Sequence, residues 1–409
     1  MNLLFIHQNF PGQFRHIAQH FARDPKHRVL AIGRDTCPGM PGINLVKYAR
    51  HRGSAKETHH YVKTFEDGVI HGQGVVRLLL QLQKKGFVPD VVVGHPGWGE
   101  TLYVKEVFPH CRLVHLCEFY YHTDGADCGF DPEFPNSMDD RARIRSRNGL
   151  HLLNLEQCDA GIAPTEWQRS LFPTAYQPKI RTIHEGINTQ VLLPDAQATF
   201  QLPATPALPE GKLLRAGDPV VTYVSRNLEP YRGFHSFMRA VPAMLEASPC
   251  DIVIVGGDGV SYGSKPRDAA NWRERMLKEV KVDPARVHFL GQIPYAQYCR
   301  LLQVSAAHVY LTYPFVLSWS MLEAMASGCL IVGSDTAPVR EVVKHGHNGL
   351  LVDFFDHKAI AATVADALAR PREMQELRRR ASVEVRRDYS FERGLKGYQD
   401  VIGVGGHVS

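Results

Sequence analysis

Residues 307–328 read AHVYLTYPFVLSWSMLEAMASG. The first five residues, Ala307–Leu311, form a short apolar run that predicts a buried strand, and Trp319–Ser327 has the spacing of a helix. A strand, a turn and a helix in this order form one step of a βαβ unit, which places parallel strands in one sheet. This stretch therefore predicts an α/β fold with a parallel sheet.

The same step recurs along the chain. Strands are predicted at residues 3–6, 29–32, 91–93, 113–116, 160–163, 180–183, 220–224, 251–255, 287–290 and 330–333, and helices at 13–23, 69–85, 149–158, 233–247 and 295–303. Residues 194–219 contain five prolines and little hydrophobic period, which predicts a linker. We therefore expect two doubly wound Rossmann-like α/β domains, 1–193 and 220–384, with the ligand in the interdomain cleft.

The composition narrows the class of protein. The chain has 409 residues and a net charge of +5, and neither half is a basic block, so a nucleic-acid binder is not indicated. Its 8 cysteines include no C-x-x-C pair, which argues against a zinc ribbon and favours a reduced, cytoplasmic compartment. No signal-peptide pattern and no membrane-spanning apolar run is found. Any membrane contact is expected to be peripheral, at the inner face, and the arginine-rich stretches 141–147 and 378–387 are interpreted as solvated helix faces rather than as a membrane-surface patch.

Two segments of the second half place polar groups at the ends of predicted strands. Residues 225–233 read SRNLEPYRG, and the two arginines, Arg226 and Arg232, suit the clamping of phosphate oxygens. The alternative is a surface loop in which an arginine pairs with Glu229. The second segment is residues 307–328, where the turn before the helix offers free N–H groups to an anion. Glu323 lies inside that helix, where it either accepts hydrogen bonds from ribose hydroxyls or lies on the helix surface.

The first half places polar groups at comparable positions. Residues 10–13, Phe-Pro-Gly-Gln, predict a strand-to-helix turn whose N–H groups suit a phosphate. His95 follows the strand 91–93 and is placed to touch a substrate hydroxyl, whereas most of the 21 histidines are expected to be solvated or core residues. The next strand is followed by the residues predicted to line an acceptor pocket, namely His115, Glu118, Tyr120, Tyr121 and His122.

Motifs of several other enzyme classes are absent from the sequence. It contains no D-x-D triplet, H-E-x-x-H, G-x-S-x-G or G-x-x-x-x-G-K-[ST]. Zincin, α/β-hydrolase and P-loop chemistries are therefore not indicated, and neither is a carboxylate pair for a nucleotide-bound metal. Residues 72–77 form a broken G-x-G-x-x-G, because Arg77 replaces the third glycine, so a dinucleotide fingerprint is not indicated either.

Together these stretches resemble family 4 (GT4) retaining glycosyltransferases, which have the GT-B fold of two facing Rossmann-like domains. The matching stretches are residues 7–15, 159–189, 225–233, 253–259, 287–294, 313–328 and 333–352. The resemblance implies a nucleotide-diphosphate sugar donor, bound mainly by the C-terminal domain, and a C-terminal helix, about 385–409, that packs back on the first domain. It also implies same-face attack, with the donor phosphate helping to remove the acceptor proton.

The resemblance also implies roles for individual positions. Arg226 and Arg232 fall where the family neutralises the diphosphate, and His95 falls where a histidine lies near the transferred sugar. These three are the expected catalytic residues. The expected donor-binding residues are Glu323, which matches the glutamate that holds the ribose, and Gly12, Gly257, Gln292, Ile293, Phe315, Ser318, Trp319, Ser320 and Met321.

Three departures from the family pattern concern the donor. Phe315 stands where the first glutamate of the E-x7-E motif contacts the sugar hydroxyls. Arg232 replaces the usual lysine and lies one residue further from Arg226 than usual. Ser318 and Trp319 replace a Gly-Leu pair at the phosphate turn. These changes indicate an unusual donor sugar or, alternatively, a lost activity.

The expected function is that of a retaining, metal-independent hexosyltransferase. It moves a sugar from a nucleotide-diphosphate sugar, with UDP favoured over GDP, to a hydroxyl acceptor in glycan or glycoconjugate biosynthesis. The acceptor is a carbohydrate, a lipid-linked molecule or a small molecule, and no cofactor is expected because the nucleotide sugar is a co-substrate. The alternatives are a sugar-nucleotide epimerase or hydrolase, and a non-catalytic nucleotide-sugar-binding protein.

Overall fold

Parallel strands dominate the structure, a computed structural model that describes residues 1–403. The described chain divides into two units, one made of Met1–Gly186 with the residues from Phe391 onward, and the other of Ile187–Ser390. Each unit has its own parallel sheet and its own buried apolar cores. The predicted α/β class with two doubly wound halves is therefore confirmed.

The first unit alternates strands with helices. Its elements before the chain leaves it are β1 (Asn2–Ile6), α1 (Arg15–Arg23), β2 (Arg28–Arg34), β3 (Asn44–Tyr48), α2 (Lys63–Lys84), β4 (Val91–Gly94), α3 (Val104–Val107), β5 (Arg112–Leu116), α4 (Met138–Gln157), β6 (Ala160–Ala163), α5 (Glu166–Ser170) and β7 (Ile180–Thr182). The strands form one parallel sheet in the order β3-β2-β1-β4-β5-β6-β7. The strand order reverses between β1 and β4, which is where such sheets bind ligands at their carboxyl ends.

The second unit repeats this plan. Its elements are β8 (Thr199–Leu202), β9 (Lys212–Arg215), β10 (Val220–Asn227), α6 (Phe234–Ala247), β11 (Asp251–Gly257), α7 (Trp272–Glu279), β12 (Val287–Gly291), α8 (Tyr295–Val304), β13 (Ala307–Tyr310), α9 (Trp319–Ala326), β14 (Leu330–Ser334), α10 (Ala337–Val342), β15 (Leu350–Val352), α11 (His357–Ala369) and α12 (Pro371–Asp388). Six strands form a parallel sheet in the order β12-β11-β10-β13-β14-β15. Its order reverses between β10 and β13.

Local sequence explains where these elements form. In α1, Ile17, Ala18 and Phe21 share one face and are buried in the core of the first unit. The Ser137 hydroxyl accepts a hydrogen bond from the Asp140 amide and so caps α4, while the Asp140 carboxylate accepts one from the Ser137 amide. All four residues of β4 are buried, as expected for a strand covered on both faces.

The prediction of a linker at residues 194–219 is wrong. β8 and β9 form an antiparallel pair there, and they bury Phe200 and Leu214 in a core with Val220. The prolines lie beside the strands rather than within them. Because proline-rich sequence is typical of linkers, the two short strands between these prolines were not predicted. The chain enters the second unit at Ile187, earlier than the predicted domain end at residue 193.

The chain returns to the first unit later than the predicted residue 385. α12 ends at Asp388, within the second unit, and α13 (Phe391–Ile402) belongs to the first. Tyr398 and Val401 are buried in the core of the first unit, and the Arg112 guanidinium donates to the Val401 carbonyl at 2.8 Å. Of the predicted helix at 385–409, residues 404–409 lie outside the described residues.

Candidate active site

The carboxyl end of β10 carries a buried cation. Arg232 lies in the turn after this strand, where one guanidinium nitrogen donates to the Thr312 hydroxyl at 3.0 Å and to the Val316 carbonyl at 2.8 Å. The guanidinium carbon lies 5.2 Å from the centre of the Tyr262 ring. Burial alone lowers the pKa of a guanidinium, but neighbouring tyrosines, Tyr310 foremost, hold the pKa of Arg232 above its ordinary value. Arg232 is therefore a fixed positive charge.

A second arginine on the same segment, Arg226, has no bonding partner among the described residues. Arg226 is exposed, and among residues 1–403 it makes no hydrogen bond or ion pair. Glu229, the expected alternative partner, instead accepts hydrogen bonds from the amides of Ser261, Tyr262 and Gly263 at 3.0 to 3.2 Å. The predicted surface loop with an Arg–Glu pair is therefore not what the structure shows, and Arg226 is available to a ligand.

Both arginines line one open pocket at the carboxyl end of β10. Ser318 and Ser320, at the start of α9, also line it. The expectation that the backbone amides of this turn face the phosphates is not met for three of them. The Ser318 amide donates to the Tyr310 hydroxyl, the Ser320 amide to the Ser318 hydroxyl, and the Met321 amide to the Ser318 carbonyl. The turn instead presents serine hydroxyls.

Glu323 lies in α9 and binds two phenols. Its carboxylate oxygens accept hydrogen bonds from the Tyr295 hydroxyl at 3.0 Å and from the Tyr298 hydroxyl at 2.8 Å. Burial, only partly offset by these bonds, raises the pKa of Glu323. Each oxygen keeps a second lone pair, so the carboxylate can still accept from a diol.

Three more predicted donor residues lie around the end of β11. A side chain at Gly257 would lie 2.7 Å from the Asn227 amide oxygen and 3.1 Å from the Gln292 amide nitrogen. Gln292 is exposed, whereas Ile293 is half-buried and packs against the apolar core. The structure thus brings Gly257 and Gln292 together and assigns Ile293 to packing.

Phe315 is a packing residue of an aromatic cluster. It is buried, and its ring meets the Tyr262 ring edge-to-face at 4.9 Å and the Tyr231 ring at 5.4 Å. Trp319 is half-buried against the core, and the Met321 side chain is fully buried in it. Phe315 therefore replaces a hydrogen-bonding side chain of the family pattern with an apolar wall beside Tyr262 and Arg232.

The first unit contains a compact polar cluster at the reversal of its strand order. Glu118, after β5, accepts hydrogen bonds from the Gln13 amide at 2.7 Å and from His95 Nε2 at 3.1 Å. Gln13 in turn lies 2.8 Å from His7 Nε2. Burial raises a carboxyl pKa, but the bonds from His95 and Gln13 outweigh it, so the pKa of Glu118 lies below its usual value. Burial lowers the pKa of His7 to about 4.

Packing holds these rings in place. The His95 ring stacks on Trp98 at 4.3 Å between centroids. Gly12 has φ +49°, and a Cβ there would lie 2.4 Å from His7 Cε1, so only glycine fits. In the structure, the absence of a side chain at Gly12 leaves room for the His7 ring.

Of the other predicted acceptor-side residues, most are structural. Tyr120 is buried in an apolar cluster with Phe172, and His122 Nε2 is bonded to the Leu171 carbonyl at 2.7 Å. The Tyr121 hydroxyl accepts from Arg147, whose guanidinium lies 3.7 Å from the ring centre. His115 is fully buried, and burial lowers its pKa to about 3. Glu118 alone among these residues carries a partly exposed polar group into the cluster.

Arginines of the two arginine-rich helices form ion pairs and hydrogen bonds within the chain. In α12, Arg379 and Arg380 pair with Glu376, and Arg386 donates to three backbone carbonyls. In α4, Arg141 pairs with Asp124. No helix within residues 1–403 is long and apolar enough to cross a bilayer.

Comparisons with known proteins agree with this arrangement. A model described as "Glycosyl transferase family 4 group" matches residues 25–192, and one described as "Glycosyl transferases group 1" matches residues 218–370. The chain is a family 4 glycosyltransferase. Its membership confirms the enzyme class and the resemblance seen in the sequence.

Curated relatives of this glycosyltransferase share its class. A phosphatidyl-myo-inositol mannosyltransferase of Mycobacterium tuberculosis is 27% identical over 270 residues, which is 60% of this chain and 68% of the relative. A D-inositol 3-phosphate glycosyltransferase of Nocardioides is 24% identical over 263 residues, 60% of this chain and 54% of the relative.

Solved structures establish the GT-B fold. The sucrose-phosphate synthase of Thermosynechococcus elongatus matches with a TM-score of 0.71 at 19% identity, over 99% of this chain and 100% of that chain. The HepE protein of Anabaena, in complex with UDP-glucose, matches with a TM-score of 0.67 at 15% identity, again over 99% and 100%. The predicted fold class is confirmed.

Several residues of the glycosyltransferase's site escaped sequence reasoning. Tyr310, Thr312 and Tyr262 hold Arg232, and Gln13 links His7 to Glu118. Tyr310 lies near the end of the predicted strand 307–311 and Thr312 follows that strand directly, so their place at a strand end could be predicted from the sequence. Tyr262 lies in an irregular loop that no periodic pattern identifies.

Proposed function

We propose that this glycosyltransferase uses a nucleoside-diphosphate sugar, with a uridine base as the first candidate, and transfers the sugar to a hydroxyl with retention and without a metal ion. One observation carries the proposal. The buried Arg232 and the unpaired Arg226 line the same pocket as two serine hydroxyls. Negative charge grows on a diphosphate as it leaves, and fixed positive groups at that position lower the barrier.

The acceptor follows from the polar cluster of the first unit and from the relatives. Two relatives are named for inositol-containing molecules, which are polyols. A carboxylate and imidazole rings suit hydroxyl groups, because they accept and donate hydrogen bonds at short range. We therefore propose a polyol or carbohydrate hydroxyl as the acceptor.

A thermal-shift panel tests the donor site. UDP, GDP, ADP and CMP are compared with and without EDTA, because one relative is named as GDP-mannose-dependent. A ligand at about 100 times its Kd stabilises the protein by about 2.7 kcal/mol. We expect one nucleoside diphosphate to raise Tm to the same extent with EDTA present. Arg226→Ala should abolish this shift, while Arg372→Ala, an exposed arginine outside the pocket, should keep it.

The panel then directs an acceptor screen. The matching nucleotide sugar is incubated with inositol, its phosphate and simple glycosides, and the anomeric configuration of the product is read by NMR. A retained configuration supports the proposal. Stabilisation by no nucleotide would contradict the donor site, and donor consumption without any acceptor would favour the epimerase or hydrolase alternative.

A further inference from the structure

Three consecutive backbone amides of the second unit converge on one buried carboxylate. Glu229, in the turn after β10, is 1% exposed. Its carboxylate accepts hydrogen bonds at 3.0 to 3.2 Å from the amides of Ser261, Tyr262 and Gly263. Successive N–H groups that point the same way form an anion-binding nest, and here the anion is part of the chain itself. The carboxylate therefore fixes the backbone of the loop that follows β11.

Two further hydrogen bonds tie this loop to its surroundings. The Asn227 side-chain amide donates to the Ser261 hydroxyl at 2.8 Å, and the Trp272 indole N–H donates to the Ser264 carbonyl at 2.9 Å. Both donors belong to secondary structure, because Asn227 ends β10 and Trp272 begins α7. The fold thus sets the position of the Tyr262 side chain before any ligand binds, which lowers the cost of ordering it.

Tyr262 is the exposed member of an aromatic cluster. Its ring centroid lies 4.9 Å from that of Phe315 and 6.1 Å from that of Tyr231, and the Arg232 guanidinium lies over the ring at 5.2 Å. Phe315 is 5% exposed, whereas Tyr262 is 39% exposed and lines the same pocket as the two arginines. The cluster therefore presents the Tyr262 ring to a ligand in this pocket.

The strand order shows on which side of the pocket this ring lies. Gly257 ends β11 and Gln292 follows β12, on one side of β10, whereas Phe315 follows β13 on the other side. Because Tyr262 packs against Phe315, its ring reaches the β13 side. A nucleoside on the β11 and β12 side, with its diphosphate at the two arginines, would therefore direct the sugar toward Tyr262.

We propose that Tyr262 is a specificity-determining residue for the donor sugar, and that Glu229 is the positioning residue that holds it. This inference rests on the proposed function. The sugar packs C–H groups against the ring, because an aromatic ring offers a large apolar surface.

The charges of the pocket support this kind of contact. Glu229 is the one carboxylate among the described residues that line the pocket, and its oxygens are occupied by the loop amides. A sugar hydroxyl turned toward the Tyr262 ring would lose its hydrogen bonds to water with no carboxylate to replace them. The pocket therefore selects a donor sugar that turns C–H or methyl groups toward the ring.

Calorimetric binding to the full chain separates a sugar contact from a nucleotide contact. The probes are UDP, GDP, UDP-glucose, UDP-galactose, UDP-N-acetylglucosamine and GDP-mannose. Tyr262→Ala should weaken binding of the tightest nucleotide sugar by at least ~10-fold and should change the Kd of the matching nucleoside diphosphate less than about threefold. Tyr262→Phe keeps the ring and should bind both within about threefold of the wild type. Leu277→Ala, at an exposed position of α7 in the same unit, is the matched control.

The role of Glu229 is tested through the loop. Glu229→Gln replaces a carboxylate oxygen by an NH2 group, which cannot accept from the loop amides. Hydrogen exchange of the peptide that contains Tyr262 should become faster, and binding of the nucleotide sugar should weaken about as much as in Tyr262→Ala, with nucleoside diphosphate binding kept. Because Glu229 is buried, circular dichroism and Tm establish that this variant is folded. Tyr262→Ala changes an exposed side chain and tests the proposal without it.

The outcomes distinguish this inference from the proposed function. Equal weakening of both kinds of ligand in Tyr262→Ala would place the ring against the nucleotide, and no weakening of either would remove it from the site. Both results overturn the role of Tyr262 and leave the transferase intact, and unchanged exchange of the loop in Glu229→Gln would overturn the role of Glu229. A wild-type chain that binds none of the probes would instead overturn the proposed function itself. Selective loss of nucleotide-sugar binding is the result that we expect.

Discussion

At the scale of single residues, the two arginines of the pocket differ in what holds them. Arg226 has no partner within residues 1–403, whereas Arg232 is buried and bonded to Thr312 and Val316. We predict that Arg226→Ala lowers kcat/KM for transfer by ~100-fold, equivalent to ~3 kcal/mol, without a change in Tm. Arg232→Ala should lower both, because it leaves buried acceptors unsatisfied. Steady-state kinetics and thermal unfolding of both variants check this, and a lowered Tm for Arg226→Ala would contradict it.

Glu323 gives a second prediction at this scale. If its carboxylate binds the ribose hydroxyls of the donor, Glu323→Ala should lower transfer by at least ~100-fold. Tyr298→Phe removes only one phenol bond and keeps the carboxylate, so it should retain transfer within tenfold. Donor KM and kcat for the two variants provide the measurement. Equal losses in both would show that the phenols, not the carboxylate, support activity.

The positions of these residues could be predicted, but their partners could not. The arginines follow a strand whose apolar run is visible in the sequence, and parallel strands carry ligands at their carboxyl ends. The contacts of Arg232 come from residues about 80 positions further along the chain, after a different strand. Nothing in a single sequence specifies which side chain fills that space. The same holds for Gln13 and Glu118, which are 105 positions apart.

At the scale of elements, the turn into α6 depends on one glycine. Gly233 has φ +70°, and a Cβ there would lie 2.3 Å from the Leu311 Cβ atom, a packed strand-end residue. Gly346 in the same unit has φ +71° with nothing within 4 Å. We predict that Gly233→Ala lowers Tm clearly more than Gly346→Ala, because both carry the same backbone strain and only the first carries the clash. Thermal unfolding with and without nucleotide checks this, and equal shifts would exclude the clash.

The strands that could be predicted from the sequence are those with near-continuous apolar runs. The parallel strands are near-continuous apolar runs because both faces are covered, and those predicted are found within a few residues of their expected bounds. β3 and α7 are not predicted from the sequence, since β3 contains the exposed polar residues Asn44 and Lys47 and α7 is short and highly charged. β8 and β9 were missed because prolines flank them.

At the scale of the whole molecule, buried histidines are unevenly distributed. Burial lowers the pKa of seven histidines of the first unit. The fall is large for four of them, to about 4 for His7 and His184 and about 3 for His115 and His151. In the second unit, only His308 among the described residues is lowered to about 4. Each group takes up a proton more readily when unfolded, so stability falls as pH drops from about 6.5 toward 4.

We predict that the first unit unfolds before the second when the pH is lowered through this window. His7 alone accounts for about 3 kcal/mol of stability that is present above pH 6.5 and is lost by about pH 4. Hydrogen exchange followed by mass spectrometry, peptide by peptide from pH 7 to 4, makes the measurement. His7→Gln should shift the first-unit transition to lower pH, and His308→Gln should not. Simultaneous unfolding of both units would contradict the prediction.

The position of α13 in the chain determines when the core of the first unit can be completed during protein synthesis. The first unit needs Tyr398 and Val401 to complete its core, yet these residues leave the ribosome after the whole of the second unit. The core of residues 1–186 therefore lacks the apolar side chains of α13 while more than 200 further residues are translated. The core of the first unit is therefore completed only after the second unit has been synthesised.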